Sequence, residues 1–257
     1  MRNRPGVSRR TFIASGVAAL AAPALAGCGL LGEGSAPRQR LTARPGAPVA
    51  TPELGLRKLA LGSGRDGNLY VPHSYSPDVA MPLFVALHGF GGSCDNWAGY
   101  YEGAEARGFV LLAADSRAET WDLVLGEFGP DVYFLDQALR LVFQRCRIDP
   151  AKIALAGFSD GASYALSLGV SNGDLFTHLI AYSPGFYQPS SPFVGRPPIY
   201  VAHGTRDANL PIAATRDGIV PRLRAAGYDV TFREFDGIHE IPAAIGDESA
   251  DWFLGTG

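Results

Sequence analysis

Apolar residues along this chain gather in short runs, and between the runs they recur at helical spacing. Residues 82–88, 109–114, 152–157, 178–182, 199–202 and 230–235 are such runs, rich in Val, Ile, Leu, Ala and Phe. Short apolar runs bounded by Gly, Pro and Asp read as strands, most of them buried on both faces. Val132, Leu135, Leu139, Val142 and Cys146 recur at three- and four-residue steps. Residues 130–145 are therefore an amphipathic helix, with Pro130 in the first turn, where a missing N–H costs nothing. Further helices are expected at 95–107, from Ser159 to about 171, at 212–226 and at 241–254. Ahead of this alternation, Gly62, Gly64 and Gly67 separate two short alternating runs in 56–72, the pattern of an antiparallel edge hairpin. The whole predicts an α/β fold: a mostly parallel sheet covered by helices on both faces, binding its ligand at the C-terminal ends of the strands.

Four loops at those ends carry the chemistry. The strand at 152–157 stops at Gly157 and a helix starts after Ser159, so Gly157-Phe158-Ser159-Asp160-Gly161 is a strand–turn–helix G-x-S-x-G. Such a turn leaves no room for side chains two places before and after the serine, and it holds the hydroxyl above the sheet on a strained backbone. His88-Gly89-Phe90-Gly91-Gly92 ends the strand at 82–88. His203-Gly204-Thr205-Arg206-Asp207 follows 199–202, and Gly237-Ile238-His239 follows 230–235.

A serine hydroxyl is a poor nucleophile at its own pKa, so a histidine must take its proton and a carboxylate must hold that histidine in the right tautomer. The chain order Ser159, Asp207, His239 suits that scheme, with Asp217 and Asp236 as substitutes for the acid. Acyl transfer also creates an oxyanion, and losing one of its two N–H donors costs about 2.7–4 kcal/mol of barrier. The backbone N–H groups of Asp160 and Phe90 are the expected pair. His73, His88, His178 and His203 are read as structural.

Leu87-His88-Gly89-Phe90-Gly91-Gly92, Gly157-Phe158-Ser159-Asp160-Gly161, His203-Gly204-Thr205-Arg206-Asp207 and Gly237-Ile238-His239 together resemble the phospholipase/carboxylesterase/thioesterase group of serine esterases. That group borders on the polyhydroxybutyrate-depolymerase and feruloyl-esterase-like secreted enzymes, and the resemblance spans 83–254. It implies an α/β-hydrolase fold and a cofactor-free carboxylic ester hydrolase acting on a small-molecule ester. Many relatives carry Gln or Ala where this chain has Asp160, a carboxylate that biases the site against anionic substrates. A thioesterase or peptidase on the same triad, or a silent surface-binding homologue, are the other readings.

Only about 16 residues, 183–198, lie where large lipases insert a lid, so no large lid domain is expected and the site is open. Trp97, Tyr100, Tyr101, Trp121 and Phe186 are candidates for an aromatic wall, or for plain core. Cys94 and Cys146 fall at opposite edges of the expected sheet, beyond the roughly 7 Å a disulfide spans, and are expected to be free thiols. No Cys/His/carboxylate cluster has metal-ligand spacing.

Residues 1–27 hold four arginines and no acid. Ser8-Arg9-Arg10-Thr11-Phe12-Ile13 resembles a twin-arginine export signal, and the apolar run after it is shorter than the roughly 20 residues a membrane span needs. Leu25-Ala26-Gly27-Cys28 resembles the lipobox of bacterial lipoproteins, which implies lipidation of Cys28; a plain signal peptide is the other reading. The expected organisation is a signal peptide at 1–27, a flexible Gly/Pro/Ala/Arg-rich tether at 28–55, and a catalytic domain at 56–257, exported and held at the cell envelope only by the lipid. Loss of 1–27 takes the net charge from −3 to about −7, which argues against nucleic acid as a partner.

Overall fold

Eight strands form one sheet in the computed structural model, which describes residues 39–62 and 64–256. The expected export signal and the lipidation site Cys28 lie outside the described residues. In chain order the strands are β1 (Gly55–Lys58), β2 (Gly67–Val71), β3 (Met81–Leu87), β4 (Val110–Ala114), β5 (Ile148–Phe158), β6 (His178–Tyr182), β7 (Ile199–Gly204) and β8 (Val230–Phe235). Their order across the sheet is β1-β2-β4-β3-β5-β6-β7-β8. The β1–β2 hairpin is antiparallel and joins β4 antiparallel; every pair from β4 to β8 is parallel.

Residues two apart in a strand share a face, and the core divides accordingly. Leu83, Val85, Leu87, Leu155, Leu179 and Val201 join one cluster, covered by Leu135 and Leu139 of α2 (Pro130–Arg145), Ala162 and Leu166 of α3 (Asp160–Gly169), and Leu223 of α4 (Val220–Ala225). Phe84, Ala86, Ala156, Ile180, Tyr182 and Ala202 face the other way, under Ala104 of α1 (Tyr101–Arg107) and Ile245, Ala250 and Phe253 of α5 (Ala243–Leu254). Phe84 has rings on four sides, from Trp97, Tyr100, Phe109 and Phe253. Its truncation to Ala would cost about 3–5 kcal/mol. The chain thus buries two apolar layers on one sheet, as the alternation of strands and helices requires.

Two expected helices are broken. Residues 95–107 begin as a 3₁₀ segment, Cys94–Tyr100, capped by Ser93, and become α-helical only at Tyr101. Asp95, Asn96 and Gly99 are poor helix formers, which leaves the first turns to tertiary contacts. Residues 212–226 are interrupted after two residues by a π-helical segment, Ala214–Ile219, in which the Thr215 hydroxyl faces the Pro184 carbonyl.

The expected tether is corrected over its described part. From Gln39 the chain is a strap bound to the domain. Leu41 and Ala43 are each 2% exposed. The Thr42 and Ala43 N–H groups donate to Asp136, Leu41 N–H donates to Asn172, and those of Val49 and Ala50 donate to the Gln144 carbonyl. Segment 183–198 has neither helix nor strand.

Candidate active site

The nucleophile turn shows why its glycines are needed. A Cβ on Gly157 would lie 2.1 Å from the Gly161 carbonyl oxygen, and one on Gly161 would lie 2.4 Å from the carbonyl oxygens of Leu87 and His88. Ser159 between them has φ 56° and ψ −118°, a left-handed backbone that L-residues occupy only under constraint. Its N–H donates to the Tyr182 carbonyl, so the neighbouring strand holds the turn.

The sheet brings the three predicted side chains together. Ser159 Oγ is 2.9 Å from His239 Nε2, and His239 Nδ1 is 2.6 Å from Asp207 Oδ2. A carboxylate only accepts, so the proton is on Nδ1 and Nε2 offers its lone pair to the serine hydroxyl. Asp207 Oδ1 accepts from the N–H groups of Asn209 and Leu210 at 2.9 and 2.8 Å. Burial works against the Asp207 charge, but the Leu210 N–H, the His239 ring and the Asn209 N–H outweigh it and hold the carboxyl below its ordinary range. Of the substitutes for the acid, Asp236 pairs with Arg206 instead.

The two expected oxyanion donors are the N–H groups left over around Ser159. In the loop after β3, Gly91 N–H donates to the Glu119 carbonyl and Gly92 N–H to that of Gly89. Phe90 N–H has no such partner among the described residues. Asp160 N–H is the first of α3, where no preceding turn exists to accept it. His88 Nδ1 donates to the Gly89 carbonyl at 2.6 Å, while its Nε2 accepts from Ser116 N–H and faces Arg65. Arg65 also donates to the carbonyls of Ser116 and Gly92, both at 2.6 Å. Burial, with the Arg65 charge beside it, pushes the His88 pKa down and keeps the ring neutral.

Residues 115–131 press on this loop from the side. The Trp121 indole donates to the His88 carbonyl, and the Thr120 hydroxyl to Asp160 Oδ2. The segment is itself held by two carboxylates: Asp131 accepts from the N–H groups of Arg117 and Asp122, and Asp122 from those of Gly129 and Asp131.

A cleft of about 590 Å³ opens beside the serine, lined by Phe90, Trp97, Tyr100, Phe158, His239 and Ile241 among others. Of the candidate aromatics, Trp97 and Tyr100 line it, Trp97 as a buried core residue as well. Trp121 is buried in the core, Tyr101 stacks on Tyr70, and Phe186 packs on the core instead. Phe90, 67% exposed, and Ile238, 55% exposed, stand at the site's rim. Cys94 and Cys146 are buried free thiols. Arg65 and Thr120 gave no sequence signal, because each acts through a partner far away in the chain. Phe158 lay inside the serine motif, but its packing on the His239 ring, centroids 4.7 Å apart, was not legible there.

No family model matches the chain. It is 27% identical over 224 residues to a Nocardia uniformis subsp. tsuyamanensis protein described as an esterase, NocK; the match takes in 82% of this chain but only 59% of NocK. It is 29% identical over 106 residues to an acetylxylan esterase of Coprinopsis cinerea, over 37% of this chain and 28% of that one. The chain thus spans about three fifths or less of the curated relatives it matches. The butyrate-bound structure of a Thermogutta terrifontis esterase superposes with a TM-score of 0.60 at 20% identity, over 79% of this chain and 94% of that one. The fold is that of the α/β-hydrolases.

Proposed function

We propose that the protein is a serine esterase that hydrolyses small carboxylic esters through an acyl-enzyme on Ser159. The observation that carries this reading is the unbroken series Ser159 Oγ, His239 Nε2, His239 Nδ1, Asp207 Oδ2, with contacts of 2.9 and 2.6 Å. Its position beside two uncommitted N–H groups adds the second requirement of acyl transfer.

His239 takes the hydroxyl proton as Ser159 Oγ attacks the ester carbonyl carbon. The carbonyl oxygen becomes an oxyanion held by the N–H groups of Phe90 and Asp160. Collapse of the tetrahedral species breaks the bond to the alcohol oxygen, which leaves with the proton that His239 returns. Water, deprotonated by His239, then attacks the acyl carbon, and Ser159 departs with that proton. Asp207 stays ionised throughout and steadies the imidazolium. The similarity to proteins described as esterases supports ester over thioester or peptide as the bond cleaved.

The address belongs to the same proposal: export by a twin-arginine signal in residues 1–27 and lipid anchorage at Cys28 in the cell envelope. Globomycin-sensitive processing together with metabolic palmitate labelling, both lost in Cys28→Ala, would be the supporting outcome. For the activity, the purified protein is assayed on p-nitrophenyl acetate, butyrate and octanoate beside Ser159→Ala. Turnover that disappears in the variant supports the reading. Inert wild type that also fails to react with a fluorophosphonate sinks it.

A further inference from the structure

We propose that His203 is a positioning residue for the Asp207 carboxylate, so that two imidazoles, not one, face the acid of this site. The kinetic part of this inference rests on the esterase reading; the geometric part does not. His203 is fully buried at the end of β7. Its Nε2 lies 2.8 Å from the Leu210 carbonyl oxygen and 3.2 Å from Asp207 Oδ2. A carbonyl oxygen only accepts, so the proton is on Nε2. Nδ1, the accepting nitrogen, is 2.9 Å from Thr215 Oγ1, and the single hydroxyl proton there is shared between Nδ1 and the Pro184 carbonyl at 3.0 Å. Burial pushes the His203 pKa down, so the ring is neutral at neutral pH and this tautomer is fixed.

The fixed N–H edge acts on Asp207 twice. It ties down the carbonyl of Leu210, the residue whose own N–H donates to Asp207 Oδ1 at 2.8 Å. It also faces Oδ2, the oxygen that accepts from His239 at 2.6 Å. Oδ2 therefore sits between two imidazole N–H groups, on β7 and on the loop after β8. The charged and titratable groups around His203 are Asp207 from its own loop, His239, and Glu234 of β8, which pairs with Arg216 of the π-helical segment. A carboxylate with donors on both oxygens is held in place and partly satisfied, and it orients His239 without over-stabilising its imidazolium.

The test compares His203→Leu and His203→Gln in the full-length protein. The protonation of His239 is followed by NMR of its ring protons from pH 4 to 9, and kcat/KM for p-nitrophenyl acetate is measured over the same range. In His203→Leu the carboxylate loses the N–H edge that faces Oδ2 at 3.2 Å and the anchor of the Leu210 carbonyl, and it acts more strongly on the imidazolium. The His239 midpoint and the acid limb of kcat/KM should move up together by about half a pH unit or more. The value of kcat should fall on the order of tenfold or more, the cost of letting a catalytic group drift. In His203→Gln the amide N–H can still reach the Leu210 carbonyl, and both readouts should return most of the way. A folded His203→Leu with an unmoved midpoint overturns the proposal, as does an equal change in the two variants. If His203→Leu does not fold, Thr215→Val, which frees the other edge of the ring, should shift the midpoint in the same direction, and no shift there overturns it. The NMR midpoint reads the proposal without turnover, so wild type that is inert on esters but shows these shifts refutes the esterase reading alone.

Discussion

Glycines at this site are set by contacts closer than any side chain permits. A Cβ on Gly161 would meet two main-chain carbonyl oxygens at 2.4 Å, and neither can retreat without moving β3. Gly161→Ala should therefore cost at least about 1–3 kcal/mol in urea unfolding, the range for overpacking, and should abolish labelling of Ser159. Gly218 is the control: a Cβ there has nothing within 4 Å and its φ is ordinary. Gly218→Ala should leave labelling intact and stabilise by about 0.4–1 kcal/mol, because the unfolded chain loses freedom. Equal costs at the two sites would refute the steric account. This contrast explains why the nucleophile turn was legible in the sequence: a spacing of two glycines about a serine records a clash that only this turn makes. The acid and base were legible for a related reason, since each closes a strand, at Asp207 after β7 and His239 after β8. Arg65 and Thr120 left no such mark, because their roles depend on Gly92 and Asp160, which are remote in sequence.

At the scale of elements, the loop after β3 is an element held from outside. Arg65, from the connection between β1 and β2, spans Ser116, Gly92 and His88 with one planar guanidinium. Arg65→Gln should lower kcat on the order of tenfold or more with KM little changed, since the N–H of Phe90 would drift from the position the oxyanion occupies. Arg65→Lys should not restore it, because an ammonium lacks the fork that reaches two carbonyls at once. A change confined to KM would place Arg65 in substrate binding instead. The strap at 39–50 is a second element held from outside, and it marks the limit of reading by periodicity. Leu41 and Ala43 are too few to make a pattern, and what orders them are the side chains of Asp136 and Asn172 on other elements. A polar, Pro-rich stretch reads as a tether until its partners are known.

For the whole molecule, the buried His88 and His203 and the half-buried His178 govern how stability depends on pH. The sheet and its two faces were legible because each strand carries its own apolar run. The ionisation of the groups inside was not, because it depends on burial. His88, His178 and His203 all have their pKa lowered, burial being the largest cause, and His178 falls to about 4 beside Lys152. A group depressed on folding contributes stability that is full above its unfolded value, near 6.5, and is lost as pH falls toward its folded value. Asp131 acts in the opposite sense. Burial raises it to about 6, so its contribution is full below the unfolded value and lost as pH rises through about 6. Three histidines against one strongly raised aspartate predict a net loss between pH 6.5 and 4.5. His178 is the one to remove, since it lies far from the serine, packed edge-on against Trp252 and Phe253. In urea unfolding at pH 7 and pH 4.5, His178→Phe should lose about 1–3 kcal/mol less than wild type across that interval, whatever it costs at pH 7. Parallel losses in the two proteins would mean that His178 protonates as easily in the fold as out of it, and that burial at the foot of β6 does not set its charge.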